Sequence, residues 1–521
     1  MRALPLTVAL TLVGWTKPLH LPYREAGLSP QEAAAHLLNR FAYGPRPGEV
    51  EAVVRQGLES WVEVQLSGRV GNTACDILVS KVPGDSERLA QRKVLRSTLS
   101  ERQMEEVLSE FWFNHFNVSL TDGDCRTHVA DYEENAIRPN VLRRFRVLLG
   151  ATAHHPAMLY YLDNAYSRWD RETQPATPLE DPFNYQRRPQ LAPPRPPTAP
   201  NKKGLNENYA RELLELHTLG VDGGYRQEDV TEVARVFTGW SVARAKDEKA
   251  RFEFRDKLHD PTPKRFLFQT LAPAGENEGE KVLDMLASHP STARFLSRKL
   301  AVRFVCDQPP PALVERLSRT FLRSQGDLRA TVECLLESPE FWSREHLRSK
   351  VKSPLELQAS SLRILGARLD ERVQLQGSLA SMGQELYHCR PPTGWPDRPE
   401  TWLTPGNLVQ RMGFAHRLAE GELQVKFSLE NLRPARPPRN LKQALKHYAE
   451  TILPGRQVDP VVRLLLAPAA DPAYGKSVVQ ASKKGSSHIP RPQSRGRFEF
   501  TPATQRNLIG LLLGCPEFQR R

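Results

Sequence analysis

Apolar residues recur at three- and four-residue intervals along most of this chain, and strictly alternating stretches are rare. Ser29-Pro30-Gln31-Glu32 sets a hydroxyl cap, a proline at the first helical position and a glutamate three residues after the cap. With Ala33-Ala34-Ala35-His36-Leu37-Leu38 behind it, this predicts a helix running to Gly44. Met104, Leu108, Phe111, Trp112 and His115 fall on one face, predicting a single long helix over 86–115. Further helices are predicted over 128–137, 140–153, 206–219, 227–239, 279–288, 291–305, 311–323, 327–337, 354–365, 406–419 and 503–513. Only Arg251-Phe252-Glu253-Phe254-Arg255 and Lys264-Arg265-Phe266-Leu267-Phe268 read as strands, expected to pair as a hairpin around His259-Asp260. The fold class expected is all-α: one large multi-helix body over 21–521, with a minor β-hairpin and long proline-rich loops.

Nine prolines between 171 and 204 remove backbone donors and fix φ, so neither helix nor central strand can cross that stretch. It is expected to be an exposed insertion or a lid. A second irregular loop, basic and rich in Ser and Gly, is expected over 476–497.

Composition changes the picture in three ways. The net charge of +13 invites a nucleic-acid partner, but residues 433–521 hold 16 Lys or Arg against 5 Asp or Glu, leaving the rest of the 521 residues nearly neutral. The tail's cations are scattered among prolines and small polar residues, without the aromatic interleaving or basic stripe of a nucleic-acid surface, so nucleic acid is not the expected partner. Ala3 to Trp15 is uncharged and mostly apolar behind Met1-Arg2, which fits the core of a secretory signal within residues 1–20. Thr16-Lys17-Pro18 supplies no small-x-small cleavage site, and a short segment packed on the first helix is the competing reading. Export to the periplasm or beyond is the expectation, with the cytoplasm as alternative. No stretch is long and apolar enough for a transmembrane span. Six widely spaced cysteines with no C-x-x-C pair signal neither zinc nor thiol–disulfide chemistry, and they fit disulfides and small buried side chains equally.

Three constellations could carry chemistry. Phe111 to Ser119 sets His115, Asn114 and Asn117 among four aromatics including Trp112, where a buried imidazole needs a partner for its N–H. In Asn206 to Gly220, a helix would put Asn206 and His217 on one face and Asn208, Glu212 and Glu215 on the next. Local roles explain that segment too: Asn206 as cap, Glu207 with Arg211 as an i,i+4 ion pair, His217 and Gly220 at the helix end. His259-Asp260-Pro261 is either a ligand or base with its orienting carboxylate, or simply a turn.

At this point the chain resembles a bacterial family known as domain of unknown function 1800. The likeness rests on Phe41-Ala42-Tyr43-Gly44, Phe111-Trp112-Phe113-Asn114-His115-Phe116, His155-Pro156-Ala157-Met158-Leu159, Leu162-Asp163-Asn164 and Asn206-Glu207-Asn208-Tyr209-Ala210-Arg211-Glu212-Leu213. It continues in order through Thr238-Gly239-Trp240, His259-Asp260, His289-Pro290, Ser338-Pro339-Glu340-Phe341, Gly394-Trp395-Pro396-Asp397 and Pro516-Glu517-Phe518. The resemblance implies a largely helical protein, often exported, often encoded beside a sulfatase-like protein of unknown function, which is thereby the expected partner. The family assigns no reaction.

Two functions follow as expectations. The first is an exported binding or assembly protein at the bacterial cell envelope, with Trp112, Asn114, Asn117, Asn206, Asn208, Trp240, Trp395 and Asp397 as binding residues. The alternative is a hydrolase with His115, Glu207, Arg211 and Glu212 as catalytic groups, and a divalent metal on His115, His217, His259 and Asp260.

Overall fold

The computed structural model describes residues 18–169, 204–243, 250–470 and 498–521. The signal-like segment up to residue 17, the proline-rich stretch apart from Gly204, and the 476–497 loop lie outside the described residues. Among the described residues helices dominate, and the β-structure is two small antiparallel sheets. One hydrophobic core runs through the whole of it, with buried members from Leu21 to Phe518.

The first helix, Pro30–Phe41, starts as its cap predicts: Ser29 Oγ accepts from Glu32 N at 3.2 Å, and Glu32 Oε2 accepts from Ser29 N at 2.9 Å. Its far end enters the core, where Phe41 stacks on Phe304 at 4.4 Å. The single helix expected over 86–115 is instead two, Leu89–Leu99 and Gln103–His115. The Gln103 amide donates to the Ser97 and Ser100 carbonyls (3.3 and 2.9 Å), and Ser100 Oγ accepts from Arg102 N at 3.1 Å. Side chains thus satisfy groups left over at the first helix's end, which lets the backbone turn without orphaned donors or acceptors.

The expected hairpin is also corrected. Strands β1 (Trp240–Ala243) and β2 (Arg251–Phe254) pair with each other, while β3 (Lys264–Phe266) pairs with β4 (Gln269–Leu271). Alternation marked strand character correctly but carries no information about which strand is the neighbour.

Two helical segments open into π turns, Tyr132–Ile137 after Val129–Asp131 and Leu213–Thr218 after Asn208–Glu212. Two buried ionic clusters sit elsewhere in the core. Lys93 Nζ lies 2.7 Å from Glu133 and 2.9 Å from Glu110. Glu356 takes Arg303 at 2.7 Å and Arg521 at 3.0 Å, beside Asp397 and Lys350. All six cysteines carry free thiols.

Candidate functional site

The helix Gln103–His115 delivers the first constellation to the junction of three chain segments. Asn114 and the Trp395 backbone grip each other twice: Asn114 Nδ2 donates to Trp395 O at 2.8 Å, and Trp395 N donates to Asn114 Oδ1 at 2.7 Å. Asn117 Nδ2 donates to the carbonyls of Cys389 and Pro391 (3.0 and 2.9 Å), and the Tyr161 hydroxyl donates to Arg390 O at 2.6 Å. Three side chains therefore pin the loop 389–395. Gly394 sits at φ +70°, where a Cβ would lie 2.3 Å from Asn114 O, so only glycine permits this approach. Between loop and helix lies a recess of about 270 Å³, lined by Glu110, Phe113, Asn114, Asn117, Tyr387 and Trp395 among others. Trp112 stays below it, 1% exposed, its indole N–H donating to Val141 O at 3.1 Å.

His115 and His217 do meet, with ring centroids 6.1 Å apart. His115 Nε2 donates to the His217 carbonyl at 3.0 Å, which leaves Nδ1 as the acceptor facing Lys299 Nζ at 2.9 Å. The π turn Leu213–Thr218 positions this contact. Burial and then the Lys299 charge hold His115 well below the usual imidazole range, and the same causes bring His217 to about 3. Lys299, desolvated, is brought down to about 8. Both imidazoles are thus neutral at pH 7, and His217 Nε2 is buried with no hydrogen-bond partner among the described residues.

Glu207 and Arg211 form the expected ion pair at 3.0 Å. Gln227 and Thr231 of the helix Gln227–Val236 extend it, donating to Glu207 at 2.9 and 2.7 Å. Asn206 Oδ1 accepts from Asn208 N at 2.8 Å, turning the chain into the helix Asn208–Glu212. These are local duties at a helix start. Glu212 differs. Burial first and Glu215 second push its carboxyl up to about 7.

His259 and Asp260 belong to a separate buried network under β1 and β3. His259 Nδ1 donates to Thr238 O at 2.9 Å and Nε2 faces Glu278 at 3.2 Å, while Lys264 Nζ lies 2.6 Å from Glu278. Asp260, fully buried, pairs with Arg235 Nε at 2.7 Å. Trp240 is fully buried against Gly279, where a Cβ would lie 2.3 Å from its ring. Asp397 sits in the Glu356 cluster, 3.3 Å from Lys350. The four residues expected to share a metal thus fall into two sets, the His115–His217 pair and the His259–Asp260 network. Among the described residues no group of three or more His, Cys, Asp or Glu could hold a metal ion.

The family model for "Protein of unknown function (DUF1800)" matches residues 36–520. The chain belongs to that family. No curated protein and no solved structure matches it. The family match spans all three constellations, including the contact of His115 with the His217 carbonyl. Sequence reasoning missed Lys93, Glu110, Glu133, Lys264, Glu278 and Lys299. For Lys93 a signal was present: it lies four residues after Leu89 and four before Ser97, on the buried stripe of its helix.

Glu212 gives a checkable consequence. A carboxyl whose folded pKa is raised destabilises the fold once it ionises, so its penalty grows between about pH 4.3 and 7 and is full above that. Glu212→Gln is expected to stabilise the protein by about 1 kcal/mol at pH 8, after allowing for solvent screening, and by nothing at pH 4. Thermal unfolding of both proteins at the two pH values measures this.

Proposed function

We propose that this DUF1800 protein is a helical binding or assembly protein whose partner is another protein, working outside the cytoplasm. The observation that carries the reading is an apolar stripe turned to solvent. On the helix Pro405–Glu420, Leu408, Val409 and Met412 are 39%, 68% and 60% exposed. The helix packs on Pro502–Gly514, where Gly514 meets Met412 and Leu511, three residues earlier, is exposed as well. A surface helix ordinarily turns such residues inward, and exposed apolar groups clustered on one face mark contact surfaces. The polar constellations support the same reading, since their amides, imidazoles and carboxylates are largely spent on loop anchoring and buried ion pairs. The partner that the family resemblance implies is the neighbouring-encoded sulfatase-like protein.

Co-purification with that protein tests this. Val409→Glu with Met412→Glu is expected to weaken the complex by more than about tenfold while leaving thermal stability within about 0.5 kcal/mol of the parent, as for other exposed sites. A parent protein that forms no complex, or a complex indifferent to both substitutions, rejects the proposal.

A second reading, hydrolase, is favoured by one observation: a carboxyl near 7 at Glu212 is poised to accept or give a proton at neutral pH. It requires hydrolytic activity in the purified protein that Glu212→Gln abolishes.

A further inference from the structure

A second recess, about 290 Å³ when its mouth open to solvent is counted, lies where five parts of the chain converge. Asn39 comes from the first helix, Ser360 and Ile364 from the helix Pro354–Ile364, Arg456 from the turn after the helix Leu441–Ile452, and Phe518 from the C-terminal turn. Lys352 reaches it from just ahead of Ser353, the cap of Pro354–Ile364. Gly455, at φ +68°, lets the turn bearing Arg456 close on the first helix, since a Cβ there would lie 2.7 Å from Ala35.

The charges around this recess are one-sided. Lys352 is 4% exposed, yet among the described residues its ammonium has neither a hydrogen bond nor an ion pair; its near neighbour is the Phe518 ring face, 3.7 Å from Nζ to centroid. Arg456 donates to the Arg520 carbonyl at 3.1 Å and Arg348 donates to the Gly455 carbonyl. Arg411, fully buried, donates to Gln519 Oε1 and to Lys352 O, and its third nitrogen has no partner. Every one of these contacts is to a neutral oxygen. Of the carboxylates that act electrostatically on the cluster, Glu356 is engaged by Arg303 and Arg521, Glu32 faces Arg344, and Glu517, acting on Arg456 from a distance, leans on the Cys515 thiol and has its Oε2 unpartnered among the described residues. Burial, then the neighbouring guanidinium of Arg456, holds the Lys352 ammonium well below the ordinary lysine range; burial and Arg348 bring Arg456 down to about 9. A lysine can shed its proton in response, but guanidinium groups keep theirs at pH 7, so the recess stays positive.

We propose that this recess is a binding site for a small oxyanion, a carboxylate or phosphate group, received by Lys352 and Arg456 with Asn39 and Ser360 alongside. The oxyanion supplies the acceptor oxygens that the Lys352 ammonium lacks and the counter-charge that the arginines lack, and charge-assisted hydrogen bonds of this kind are the strong ones. The remaining walls, Phe518, Ile364 and Leu453 among them, are apolar.

Isothermal titration calorimetry on the full chain tests this, using sodium phosphate, sodium acetate and sodium hexanoate in turn against a sodium chloride background of equal ionic strength. At least one of the three is expected to bind at one site, and Lys352→Met and Arg456→Gln are each expected to weaken it by about tenfold or more. Hexanoate bound above acetate and phosphate assigns the site to a carboxylate carrying an aliphatic body; phosphate alone assigns it to a phosphoryl group. Lys352→Met without ligand is expected to melt no lower than the parent, because the thioether fills the same space without an unpaired charge. Should that variant fail to fold, Arg456→Gln, nearer the surface, decides by itself. No binding of any of the three salts, or binding equal in parent and variants, overturns the assignment.

Discussion

Replacing Lys93 with methionine is expected to lower the unfolding free energy by about 3–5 kcal/mol at pH 7, because it leaves two carboxylates in the core with no cation between them. Glu133 is 2% exposed and retains the Tyr387 hydroxyl as donor, while Glu110 faces the recess beside Asn114. In the parent, burial alone would push Glu133 up, but Lys93 and Arg138 outweigh it and hold the carboxyl at about 2. Take Lys93 away and burial of Glu133 is opposed by Arg138 alone, so the variant's deficit should shrink as pH falls from 8 to 5 and the Glu133 carboxyl takes up a proton. Urea unfolding at both pH values measures the deficit and its slope. Adding Glu133→Gln to Lys93→Met should recover part of the loss, since the cost lies in the unpaired charge rather than in the missing ammonium. A loss below about 1 kcal/mol would mean that water already reaches the pair.

Glu356→Gln is expected to cost a similar ~3–5 kcal/mol at pH 7 by leaving Arg303 and Arg521 with only the more distant Asp397, at 4.0 and 3.8 Å. Both guanidiniums are buried, and the Glu356 carboxylate also accepts from Ser353 N at 2.8 Å in the cap of Pro354–Ile364. Burial would raise the Glu356 carboxyl, yet Arg303 and Arg521 bring it to about 2. A depressed carboxyl contributes stability that is complete above the unfolded value of about 4.3 and disappears as pH falls towards 2. The parent should therefore lose stability steeply across that window through Glu356 and Glu133 together, and the variant's acid limb should be flatter. A variant that follows the parent's pH profile would remove Glu356 from the account of acid unfolding.

What the sequence made legible was whatever depends on neighbours in the chain. The Ser29–Glu32 capping box and the Glu207–Arg211 pair are local geometry, and both stand as expected. The break after Leu99 depends on where the Gln103 amide points, and a polar residue at a helix start reads the same whether it faces solvent or its own backbone. The pairings of Lys93 and Lys299 carry no mark in the sequence because their partners, Glu133 and His115, arrive from about 40 and 180 residues away and no periodicity links them. His115 stands out by its place among aromatics and His217 by its place on a polar helix face, and their meeting is a tertiary fact. The expectation that His259 and Asp260 would join them failed for the same reason: Glu278, Lys264 and Arg235 claim them first.

The π turn Leu213–Thr218 has a consequence for how this helix tolerates insertions and deletions. A π turn holds one residue more than an α turn, so dropping a single residue there would give an uninterrupted α-helix with better backbone geometry. Because the wider turn absorbs that residue, the helix beyond it would keep its phase, and what the deletion removes is the local bulge from which the His217 carbonyl reaches the His115 imidazole. The edit that most regularises the helix taken alone is therefore one that disturbs its contact with Gln103–His115, and the irregular turn acts as a local widening that offers a backbone carbonyl to the junction.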